Sequence, residues 1–141
     1  MNKQTITFAA LYTLGAVAIL WTVYTLLTSG DVWTDPLYSA SDQAVLVLNS
    51  LFWLAIGAAL IFATRKRSRW VSAVLLIALL YIVVSCVMHV APLAQFYLFN
   101  TSGLSGYRIL AVVAAPCAAQ IAILVALLFA TRRLRQAGHL S

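Results

Sequence analysis

A chain of 141 residues that is 64% hydrophobic and only 9% charged carries more apolar side chain than a soluble domain of that length can bury. Its mean hydropathy of +0.99 points to lipid as the solvent. The net charge of +6 and the pI near 9.8 would suit a nucleic-acid binder, but every basic cluster falls where membrane topology needs one, and nucleic acid is set aside as a partner.

A helix needs about 20 apolar residues to cross the hydrocarbon core. Four runs reach that length, at roughly 6–28, 43–64, 70–91 and 107–131, and the connections leave no room for a separate soluble domain. The predicted fold is all-α: a four-helix transmembrane bundle, a single integral membrane domain over residues 1–141. Lys3, Arg65, Lys66, Arg67, Arg69, Arg132, Arg133 and Arg135 lie at the chain ends and in the middle loop, leaving Arg108 as the one cation of the other loops. Cationic loops stay in the cytoplasm, which places both termini inside, in what reads as a bacterial inner membrane. The apolar run from Ile6 outlasts the 7–15 residues of a signal-peptide h-region and is expected to stay as an anchor.

The first span carries Gly15, Ala16 and Ala18, small residues that permit close approach of a neighbour. Trp21, Tyr24 and Trp33 cluster toward its outer end, as an interfacial belt or as a stacking platform for an aromatic ligand such as a quinone. The loop that follows holds all three acids, Asp31, Asp35 and Asp42, and the chain has no glutamate. Asp35-Pro36 signals a turn, and Ser41 with Asp42 offers an N-cap for the second span. A capping role makes Asp42 a poor catalytic candidate.

Alanines recur every four residues in the second span, at 55, 59 and 63, and in the fourth, at 114, 118, 122, 126 and 130. Each set lines one side of a helix as a smooth stripe, and in lipid such stripes bring helices together by close van der Waals fit. Ala55–Arg65 and Ala122–Arg132 are identical at eight of eleven positions, which suggests a tandem repeat of two helical hairpins, although the first and third spans align poorly. The third span begins at Trp70, an interfacial anchor, and is expected to end at Ala91 because Pro92 follows. Ser85, Cys86 and His89 fall within one arc of about 100° near its outer end. Residues 92–106 are expected as a short interfacial helix and turns. Pro116 should kink the fourth span, and Gln120 follows one helical turn later.

Reactive groups are few. His89 is the one ionisable nitrogen inside the predicted hydrocarbon, where such residues are costly and are functional candidates by default. Its ordinary role is a hydrogen bond to Ser85. The only other histidine, His139, lies in the tail, so one subunit cannot supply a bis-histidine haem. No intramembrane carboxylate is present to couple transport to protons or sodium. Cys86 and Cys117 form no metal pattern and read as packing residues. No catalytic set, metal or cofactor is assigned, and an enzyme is the weaker reading.

Four residues remain as a candidate polar or ligand site: Asn49, His89, Arg108 and Gln120. Gly103, Gly106 and Arg108 at the start of the fourth span would suit an anion or lipid headgroup, unless Arg108 pairs with the loop aspartates. Gln120 points about 180° from the alanine stripe, so the fourth span should have protein on two sides. Its amide would pair with Asn49 in the same subunit, or with a partner across an oligomer interface. The leading functional expectation is a non-catalytic inner-membrane protein, either an accessory or assembly subunit or a small binding protein. Its partners would be the bilayer, anionic headgroups, further copies or another membrane protein. An oligomeric small-solute transporter or channel is the alternative, and a haem or quinone redox subunit comes third.

Overall fold

The structure is a computed structural model describing residues 2–100 and 104–141, with side chains for all of these except 97–100, 104–107 and 109. Five helices follow in order: α1 (Lys3–Thr28), α2 (Gly30–Thr34), α3 (Ala40–Arg65), α4 (Trp70–Asn100) and α5 (Leu104–Gln136). No strand occurs among the described residues. Four helices, α1, α3, α4 and α5, are long and apolar enough to cross a membrane. They correspond to the four expected spans. The chain divides into two compact units, Met1–Val74 with Leu134–Ser141, and Leu75–Arg133.

In the first unit α1 and α3 form an antiparallel hairpin, capped at one end by α2. Val32 of α2 accepts a hydrogen bond from the Gln43 amide at 3.1 Å, while at the opposite end Arg67 lies over the Phe8 ring. Midway, two glycines bring the backbones together. A Cβ on Gly57 would meet the Gly15 carbonyl oxygen at 2.8 Å, and one on Gly15 would meet the Gly57 oxygen at 3.0 Å. Only hydrogen fits on either side of that crossing.

Of the alanine stripe on α3, only Ala63 is buried. Ala55 is exposed and Ala59 half-buried, whereas Ser50, Gly57, Leu60 and Thr64 are buried. Ser50, Gly57 and Thr64 recur every seven residues and keep one face toward α1, nearly opposite Ala55 and Ala59. Glycine outcompetes alanine here because closest approach maximises dispersion contact, which is what drives association in lipid.

Helix ends differ from expectation in three places. Ser39, rather than Ser41, caps α3. Its hydroxyl accepts from the Asp42 N–H at 3.3 Å, and Asp42 Oδ2 accepts from the Ser39 N–H at 2.8 Å, a complete capping box. Pro92 does not stop α4, which runs through it to Asn100. A break there would strand several N–H and carbonyl groups, whereas continuing loses only the bond to the Met88 carbonyl. Residues 92–100 therefore extend α4 and form no separate helix. The expected turns at 101–103 lie outside the described residues.

The third difference is that α5 outlasts its apolar run and ends at Gln136. It closes with a Schellman motif: Gly138 has φ +76°, His139 N–H donates to the Leu134 carbonyl at 2.9 Å, and Gly138 N–H donates to that of Arg135 at 3.1 Å. Helix α3 ends the same way, with Ser68 N–H on the Ala63 carbonyl at 2.9 Å and Arg67 N–H on that of Thr64 at 3.0 Å. Here the left-handed position is an arginine, Arg67, at φ +50°. The FATR words of the two helices are also buried alike: Phe62 and Phe129 are each 59% exposed, while Thr64 and Thr131 are 2% and 0% exposed.

Two stability predictions follow from these contacts. Gly57→Val should cost about 1–3 kcal/mol in a detergent-denaturant titration, because the α1 backbone must be pushed away. The same change at exposed Ala55 should be close to neutral. Arg67→Gly should be more stable than Arg67→Ala by about 1 kcal/mol in thermal melts, since both lose the side chain and only glycine escapes the left-handed penalty.

Candidate functional site

The richest side-chain chemistry of the first unit lies at its basic end, where three chain-distant segments converge. Arg69 N–H donates to the Ser141 carbonyl at 2.8 Å, and Ser141 N–H returns a bond to the Arg67 carbonyl at 2.9 Å. The Gln4 side chain hydrogen-bonds to Nε2 of His139. Start of α1, the α3–α4 loop and the tail after α5 are thus tied into one cap. Leu134 and Leu140 are buried with Leu11, Leu60, Ala63 and Val71, the main apolar core of this unit.

The cations at this end are not equivalent. Lys66 Nζ sits 4.4 Å from the centre of the Phe62 ring, and the Arg67 guanidinium carbon 5.4 Å from that of Phe8. Each such contact contributes about 0.5–1 kcal/mol at an exposed site. Arg69 and Arg135 instead line a groove of about 320 Å³, together with Trp70, Ser72 and Ala73. Trp70 is 66% exposed there, in keeping with an interfacial anchor.

The sequence candidates are spread over both units. Asn49 is half-buried on α3 and has a partner of its own. His89, exposed on α4, donates from Nδ1 to the Ser85 backbone carbonyl at 2.6 Å. The expected i−4 bond is present, made to the main chain. Arg108 is exposed in the first turns of α5, and the Gly103 turn of the anion site expected beside it lies outside the described residues. Gln120 is exposed in the middle of α5, as are Ala118, Ala122 and Ala126 of the stripe. Only 6% of the most apolar stretch of α5 is buried, against 17–22% in the other three long helices.

Cys86 on α4 and Cys117 on α5 are free, half-buried thiols that share a hydrogen bond. Among the described residues no three of His, Cys, Asp and Glu come together as metal ligands. Two polar groups of the hairpin stand out: Ser50 Oγ and Thr64 Oγ1 are buried and have no hydrogen-bond partner among the described residues.

Sequence reasoning missed Gly57 and the tail contacts. The seven-residue spacing Ser50–Gly57–Thr64 was a usable signal, and Gly138 marked the true stop of α5. Nothing in the side chains announced the backbone pairing of Ser141 with the loop.

Comparison with protein-family models, with curated proteins and with solved structures finds no match for the chain. What stands is the class: an all-helical protein with four helices able to cross a membrane.

The thiol contact gives a direct check on the second unit. Mild oxidation with copper phenanthroline should produce an intramolecular Cys86–Cys117 cross-link, seen as loss of both alkylatable thiols in mass spectrometry. Cys117→Ser should leave Cys86 reactive. Retention of both thiols in the oxidised wild type would show that α4 and α5 do not meet at this level.

Proposed function

We propose that the chain is a non-catalytic subunit of a larger membrane assembly, in a bacterial inner membrane, with its basic end in the cytoplasm. The observation that carries this reading is the exposure of Gln120 halfway along a helix able to cross a membrane. A side-chain amide facing lipid tails has no hydrogen-bond partner, and an interhelical bond there contributes about 0.6–2 kcal/mol. On the opposite side of α5, exposed Ala118 and Ala122 offer surface smooth enough for a second helix to approach closely. α5 is then the docking helix, and its partner is a membrane protein offering a polar group at mid-depth.

Orientation is proposed from charge. Eight of the nine cations belong to the chain ends and the 65–69 segment, and all three acids to the 31–42 segment at the other end of the α1–α3 hairpin. The positive-inside rule turns that split into an N-in, C-in topology.

A photo-crosslinking residue at position 120, activated in intact membranes, tests the docking. An adduct with a different membrane protein is the expected result. An adduct at twice the chain mass makes the partner a second copy, and lipid adducts alone would sink the assembly reading. Engineered thiols give the orientation: one at Ser39 should label with an impermeant reagent from the periplasm, and one at Ser68 should not.

A further inference from the structure

We propose that the groove between the start of α4 and the end of α5 is a binding site for the headgroup of an anionic glycerophospholipid, with its phosphate on Arg69 and Arg135. This inference rests on the membrane-spanning reading of the helices. It goes beyond it by assigning a ligand and the residues that hold it.

Charge balance is the first support. The chain has nine cations and three acids, and none of those acids lies at this end of the hairpin, where Arg65, Lys66, Arg67, Arg69 and Arg135 gather. Five cations gathered with no aspartate among them attract anions. Lys66 and Arg67 are partly accommodated by the Phe62 and Phe8 rings. Among the described residues Arg69 and Arg135 have no such ring contact, and both face the same groove.

Preorganisation is the second. Sixty-six residues separate the two arginines in sequence, yet the paired bonds between Ser141 and the backbone of Arg67 and Arg69 fix the loop against the segment that follows Arg135. Both helix ends are locked by Schellman motifs. A guanidinium presents a planar fork that matches phosphate oxygens, so two of them held by rigid backbone suit a phosphate better than a free amine would.

The groove also selects the source of the phosphate. The first-turn N–H groups of α4 are already occupied: Trp70 N–H donates to Ser68 Oγ at 3.3 Å, Val71 to the Ser68 carbonyl at 3.2 Å and Ser72 to that of Arg69 at 3.3 Å. A small free anion would therefore lack the helix-start amides that such sites use. Trp70 and Ala73 add an apolar wall beside the two cations. A ligand with an anionic head and an apolar body, lying at the membrane surface, satisfies both.

The test uses the full chain in nanodiscs. Bound lipid is counted by native mass spectrometry on transfer from phosphatidylcholine to mixed phosphatidylcholine–phosphatidylglycerol discs. Wild type should retain phosphatidylglycerol, and Arg69→Gln/Arg135→Gln should bind it about thirtyfold more weakly, from about 1 kcal/mol for each arginine. The charge-matched pair Lys66→Gln/Arg133→Gln should stay within a few-fold of wild type. Arg69→Lys/Arg135→Lys, which keeps the charge and loses the fork, should fall between. Equal losses in the two glutamine pairs would reduce the effect to diffuse charge and overturn the site. Displacement of the lipid by inorganic phosphate would assign the groove to a soluble anion and overturn the lipid assignment. A chain that stays in the aqueous phase without detergent would instead refute the membrane-spanning reading, a failure distinct from loss of lipid selectivity.

Discussion

The backbone contact between Gly15 and Gly57 is the constraint on which the first unit depends. Two helices that can touch through hydrogen atoms alone gain dispersion along their whole crossing, and in lipid no hydrophobic term substitutes for that gain. The crossing fixes the rotation of α1 and α3, so Ser50, Leu60 and Thr64 turn inward and Ala55 outward. It also fixes their sliding register. Phe8 then lies under Arg67, and the start of α1 lies within reach of His139. The geometry of the basic end is set some distance away, by two residues without side chains.

That dependence explains why the cap can tolerate an unfavourable backbone. Arg67 occupies the left-handed conformation that a glycine would adopt more readily. Its carbonyl accepts from Ser141 and its guanidinium covers Phe8, two contacts that act on the same residue from opposite sides. A glycine would keep the turn and lose the ring contact. The position thus trades local strain for a cation anchored to α1.

The four long helices were legible because composition alone demands them: uninterrupted apolar runs of this length have few other outcomes. The basic cluster was legible as a list of cations, and the bond from His89 to residue 85 as a spacing. The α3 side of the contact with α1 was overlooked, since a four-residue alanine period is more conspicuous than a seven-residue period of mixed small residues. Ser50, Gly57 and Thr64 share size and face, not chemistry, and only the opposing Gly15 shows why they matter. The groove at Arg69 and Arg135 was invisible for a different reason. It depends on main-chain bonds to Ser141, and main-chain bonds leave no trace in residue type.

The uninterrupted course of α4 has a consequence of scale. Its 31 residues, at about 1.5 Å each, make a rod about 46 Å long, against a hydrocarbon thickness of about 30 Å. Tilt within the usual range absorbs only a fraction of that excess. Measured from Trp70, Pro92 falls about 33 Å along the axis. That distance is close to the hydrocarbon thickness, and in a membrane-crossing helix it would let headgroups and water solvate the Met88 carbonyl that proline leaves bare. With Trp70 at one membrane surface, a proline near the other would lose its bond where that loss costs least.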